Sequence, residues 1–123
     1  MPVSRQQFEA WVYAIAEALL AELPPALRAE AATIVLEVAD RPTPAQDPDG
    51  EGLLGLYEGV PLVERRPDDL RWEPDRITLF YAPQIAQAAS AAEVRREIRV
   101  TLIHELGHFF GFDEAELEAR GWG

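Results

Sequence analysis

Apolar residues recur at helical spacing in the first part of the chain, where Phe8, Trp11, Val12, Ile15, Leu19 and Leu20 share one face. Ser4 stands three residues before Gln7 in the form of a capping box, and Leu23-Pro24-Pro25 stops the pattern, so a helix is predicted between them. Ala26 to Glu30 suits a short helical turn. The period then changes: Thr33-Ile34-Val35-Leu36-Glu37-Val38 is β-branched and apolar, which predicts a buried strand. Arg41 to Gly52 carries three prolines, two glycines, Asp47 and Asp49, and reads as a surface loop without calcium-loop spacing. Leu53 to Val60 alternates weakly and predicts a second strand, interrupted by Gly55. Pro61 to Asp75, with Arg65-Arg66 and Asp68-Asp69, is polar and is expected to be an exposed connection. Arg76-Ile77-Thr78-Leu79-Phe80-Tyr81 is the clearest strand, closed by Pro83. A second capping box, Ser90-Ala91-Ala92-Glu93, opens a long helix through Val94, Ile98 and Leu102 to about Phe110. Gly111 suits the position after that helix, and a short acidic helix from Asp113 to Ala119 follows.

The order is helix, strand, strand, strand, long helix, short helix, which predicts an α+β layer with a small sheet on the long helix. With 123 residues, 48% of them hydrophobic, one domain over 1–123 is expected, since two would each lack a core. No basic segment leads an apolar run at the N-terminus and no stretch reaches the ~20 apolar residues of a membrane span. A cytoplasmic protein is therefore expected. The absence of cysteine excludes disulfides, thiolate metal sites and a cysteine nucleophile, so any metal must take nitrogen and oxygen ligands. A net charge of −11 disfavours nucleic acid as a partner. All eleven basic residues are arginine, and neither lysine nor asparagine occurs.

Within the long helix lies His104-Glu105-Leu106-Gly107-His108, an H-E-x-x-H motif containing the only two histidines of the chain. Residues four apart on a helix differ by about 40° and about 6 Å, so both imidazoles leave one face, as a single zinc ion requires. Glu105 beside them is placed to act as general base on an activated water. Catalytic zinc usually takes a third protein ligand. The fifteen residues after His108 are too few for the separate ligand helix of thermolysin-like enzymes. The metzincin spacing H-E-x-x-H-x-x-G-x-x-H puts Gly111 in register and Glu114 at the third-ligand position, with Asp113 the competing choice. No methionine turn can follow, because the only methionine is Met1.

The runs Leu53-Leu54-Gly55-Leu56-Tyr57-Glu58-Gly59-Val60-Pro61-Leu62, Ile77 to Pro83 and Thr101 to Gly111 together resemble the minimal bacterial zincin-like metallopeptidases. The resemblance implies a minimal zincin-like fold, with a small mixed sheet packed on an N-terminal helix and a long active-site helix. It implies Zn²⁺ as cofactor and a peptide or protein as substrate. It also implies that a sheet edge lies above the active-site helix and pairs with extended substrate, and by analogy Ile77 to Tyr81 is that edge. A chain this short would form an open, shallow cleft, which leaves room for a second copy or a partner to complete it.

Peptide hydrolysis is thus the expected activity, with His104, His108 and Glu114 on zinc and Glu105 as base. Tyr57, Tyr81 or an arginine is the candidate donor to the developing oxyanion. Two other readings compete. A closed metal site capped by Glu114 or Asp113 would make a non-catalytic binding or protein-interaction module. Gly111-Phe112-Asp113-Glu114 also parallels the G-Y-D-H ending of small zinc endoribonucleases, against which stand Glu105 and the acidic charge.

Overall fold

The computed structural model describes residues 3–68 and 73–122. Met1 and the middle of the predicted Pro61–Asp75 connection, including Asp69, lie outside the described residues. Helix α1 (Arg5–Ala21) begins where expected: Ser4 Oγ accepts the Gln7 N–H at 3.1 Å. Its apolar stripe is buried at Phe8, Val12 and Leu19. Helix α2 (Pro25–Ala31) starts on Pro25, whose missing N–H costs nothing in a first turn. It runs on far enough to move strand β1 (Val35–Ala39) two residues beyond the predicted start at Thr33. Thr33 instead donates its hydroxyl to Glu30 O at 2.7 Å.

The surface loop that follows is organised by Asp47. Its carboxylate accepts the N–H groups of Glu51, Gly52 and Leu53 at 2.9 to 3.3 Å. The Glu51 N–H is the main reason its pKa lies below the usual carboxylate value; slight desolvation opposes this, and Gly52 and Leu53 reinforce it. These oxygens hold the loop together.

Strands β1, β2 (Gly55–Glu58) and β3 (Arg76–Phe80) form one mixed sheet in the order β1-β3-β2. β1 pairs with β3 in parallel, Val35 opposite Arg76, and β2 pairs with it antiparallel, Tyr57 opposite Ile77. The expectation that Ile77 to Tyr81 forms the sheet edge is therefore corrected: β3 is the central strand. Its side chains from Ile77 to Phe80 are all buried, which a strand covered on both faces and both edges requires. The two edges are β1 and β2, and they differ. Along β1, Tyr13 Oη donates to Leu36 O at 3.1 Å and Arg5 Nη2 to Val38 O at 2.8 Å. Side chains from α1 thus satisfy this edge and block pairing with another strand.

β3 leads directly into a helix absent from the expected order, α3 (Tyr81–Gln87). Pro83 sits in its first turn, where proline starts a helix as readily as it stops a strand. Helix α4 (Ala91–Phe110) is capped by Ser90 Oγ, which accepts the Glu93 N–H at 3.1 Å. Gly111 ends it in the left-handed conformation (φ 78°), as predicted. Helix α5 (Glu114–Ala119) opens on a complete capping box between Asp113 and Glu116. The core lies where α1 and α4 pack with the sheet, around Phe8, Leu79, Ile98, Leu102 and Phe109. The outcome is an α+β fold with a long helix against a small mixed sheet.

Gly55 sets the distance between β2 and α4. A Cβ there would stand 2.5 Å from Thr101 Cγ2 and 3.2 Å from Thr78 O. Strand propensity alone would favour valine at this position, yet Gly55→Val is expected to destabilise the fold by about 2 kcal/mol through overpacking. Denaturant unfolding of the purified variant checks this; a gain in stability would mean the strand has room to move away from α4.

Candidate metal centre

The second half of α4 has one exposed lane. Val100, His104 and His108 follow at four-residue intervals and are exposed, while Leu102, Leu106 and Phe109 are buried. The two imidazole rings converge, their centroids 4.6 Å apart at an interplanar angle of 63°. Glu105, one residue round the helix, faces β2 and is only 6% exposed. Its Oε1 accepts the Tyr57 N–H at 2.9 Å and lies 3.4 Å from His108 Nδ1.

The Tyr57 N–H is available to Glu105 because of strand register. Phe80 N donates to Leu54 O at 3.0 Å, so Leu54 and the residues alternating with it point their backbone groups at β3. Gly55 and Tyr57 consequently present theirs on the open edge. That edge lies along α4, where Gly55 approaches Thr101 and Tyr57 reaches Glu105.

His104, Glu105 and His108 each offer a ligand atom, and these atoms lie within 4.8 Å of one another. Two imidazole nitrogens and a carboxylate oxygen are donors that zinc accepts, at about 2.0–2.2 Å each. In donor chemistry and spacing the group therefore suits a divalent metal. Glu114 stands outside this group of three. It is the first residue of α5, exposed, and it shares with His104 a hollow of about 320 Å³ floored by Ile103, Leu117 and Trp122. Asp113 is committed elsewhere: its Oδ1 accepts the Glu116 N–H at 2.8 Å as the cap of α5.

Both phenols considered as oxyanion donors have other partners. Tyr81 packs edge-on against Phe8 and donates to Val3 O. Tyr57 Oη donates to Asp75 Oδ1 at 2.8 Å. Burial, reinforced by the Asp75 carboxylate, pushes the Tyr57 phenol up to about 12, so it stays a neutral donor.

Asp75 and Arg65 belong to the connection expected to be exposed; the structure buries Asp75 and leaves Arg65 half-buried. Asp75 is 3% exposed; Arg65 pairs with its Oδ2, donates Nε to Val60 O at 2.9 Å and lies over the Phe109 ring. The sequence signal was Gly59, where a Cβ would stand 2.0 Å from Asp75 Oδ1. On α4, Arg95 lies over the Trp11 ring at 4.9 Å.

Among the described residues no helix is long and apolar enough to cross a membrane. No curated protein matches the chain. The model of the zincin-like metallopeptidase family matches residues 31–122, a span from the end of α2 through the H-E-x-x-H helix to Trp122. With that match over most of its length and the converging His104-Glu105-His108 group, the chain belongs to the zincin-like metallopeptidase family.

Proposed function

We propose that this chain is a zinc-dependent peptidase in which His104, His108 and Glu114 hold the metal and Glu105 is the general base. The observation that carries the reading is the His104-Glu105-His108 convergence beside an open strand edge. Zinc held there supplies Lewis acidity, lowering the pKa of water and polarising a carbonyl. Because Glu105 Oε1 is bound to the Tyr57 N–H, proton uptake falls to Oε2, which then returns the proton to the leaving amine. An extended peptide lies along β2, the edge that α1 does not cover, and pairs with outward backbone groups of that strand, at Gly55 and at the Tyr57 carbonyl, while the Tyr57 N–H stays on Glu105. A second copy or a partner is the natural source of any further cleft wall. The net charge of −11 favours peptide over polyanionic RNA.

Protein purified without chelator should contain stoichiometric zinc and cleave members of a mixed peptide library, read by mass spectrometry. Chelation should stop cleavage and added zinc restore it. Zinc without cleavage would leave a metal-binding module; cleavage of structured RNA alone would favour the ribonuclease reading.

Glu114→Ala and Asp113→Ala separate the two candidates for third ligand. Removing Glu114 is expected to weaken zinc affinity about 100-fold, or about 2.7 kcal/mol. Removing Asp113 is expected to cost about 1 kcal/mol of stability as a lost cap while leaving zinc affinity near wild type. Competition titration with a zinc-binding dye measures both, and the reverse pattern would move the ligand to Asp113.

A further inference from the structure

Among the described residues Asp75 is the least exposed acid, and the groups around it converge on one stretch of backbone. Its Oδ1 accepts the Tyr57 hydroxyl at 2.8 Å and the Val60 N–H at 3.2 Å, and Arg65 pairs with Oδ2. The segment leaving β2 is therefore pinned at Tyr57, Val60 and Arg65 by a single carboxylate. Burying an ion pair is costly and seldom improves stability over apolar packing, so its geometry is the feature to explain.

The cluster meets the H-E-x-x-H helix at two places, the Phe109 ring and the Glu105 carboxylate. The Tyr57 ring packs edge-on against Phe109, centroids 6.0 Å apart, and the Arg65 guanidinium covers the same ring at 5.4 Å. The Tyr57 backbone supplies the second contact, its N–H holding Glu105 Oε1 at 2.9 Å. Tyr57 thus has its side chain fixed by Asp75 and its amide fixed on the proposed base. A carboxylate free to rotate would spend most of its time out of reach of a reacting water, whereas one held by a fixed donor keeps its orientation.

We infer that Arg65, Asp75 and the Tyr57 phenol form a positioning cluster, which fixes the open edge of β2 so that the Tyr57 N–H orients Glu105. None of the three side chains need touch substrate. The inference rests on Glu105 being the base, but its structural half, a Tyr57 amide held in place by Asp75, can be measured without turnover.

The test uses the full chain labelled with ¹⁵N, metal-free and zinc-loaded, as wild type, Tyr57→Phe, Asp75→Asn, Arg65→Lys and Arg65→Gln. Tyr57→Phe keeps the ring on Phe109 and removes only the phenol donor, so it remains informative if Asp75→Asn fails to fold. Exchange of the Tyr57 amide is expected to accelerate about 10-fold in Tyr57→Phe, while the Leu79 amide in central β3 keeps its wild-type rate. In the cleavage assay kcat should fall about 10-fold with KM within about 2-fold, as expected when orientation rather than binding is lost. Arg65→Lys, which retains the charge, should lose less than Arg65→Gln. An unchanged Tyr57 amide in both Tyr57→Phe and Asp75→Asn overturns the inference. So does equal acceleration at Leu79, which would make the cluster a general stabiliser. If wild-type protein cleaves nothing, the peptidase reading fails, and the amide measurement still decides whether Asp75 fixes the strand.

Discussion

Glu105→Gln is expected to lower turnover about 10³-fold, or about 4 kcal/mol of barrier, while leaving zinc content unchanged. The substitution is well matched to the site. Glutamine keeps the length of the side chain, and its amide oxygen can still accept the Tyr57 N–H that Glu105 Oε1 accepts at 2.9 Å. It cannot accept a proton from water at neutral pH. Stability should therefore remain within about 1 kcal/mol of wild type, because the buried position stays hydrogen-bonded. Thermal unfolding, zinc stoichiometry and kcat/KM on one cleaved peptide decide the matter together. Full activity in the glutamine variant would remove Glu105 from the mechanism. Lost activity with lost zinc would instead make Glu105 a ligand, which its place in the His104-Glu105-His108 group would also allow.

Much of this site was legible because it is local. His104, Glu105 and His108 sit within two turns of one helix, whose period alone puts the imidazoles on one face. The caps were equally local: Ser4, Ser90 and Gly111 do what short-range patterns predict. Strand pairing is not local. The alternation of Arg76 to Tyr81 announces a strand but does not say how many neighbours it has, and β3 proved central rather than peripheral. A fully buried strand and an edge strand differ in what lies beside them, and that information is held by Val35 and Tyr57, far away in sequence. Pro83 misled for a related reason, since proline is compatible both with the end of a strand and with the first turn of α3. Asp75 was hidden by its surroundings: amid Pro74, Glu73 and other polar residues nothing marks one carboxylate as buried. Only Gly59, sixteen residues earlier, carries its trace, as a place where no side chain fits.

His108→Ala should abolish stoichiometric zinc binding and leave the fold intact, a separation that few residues in a small core would permit. The His108 side chain is 56% exposed, so its removal opens no cavity, and alanine is the better helix former. What the variant loses is one of the two imidazoles that converge on the exposed lane of α4. Taking one ligand from a three-ligand site is expected to cost about 4 kcal/mol of metal affinity, or about 10³-fold. His104→Ala should behave similarly toward zinc, since the two ring centroids lie 4.6 Å apart and neither ring can hold the ion alone. Far-UV circular dichroism and denaturant unfolding should match wild type for both variants, while zinc competition titrations separate them from it. A wild-type affinity in either variant would show that the ion sits elsewhere, and with it the catalytic reading of Glu105 would lose its metal.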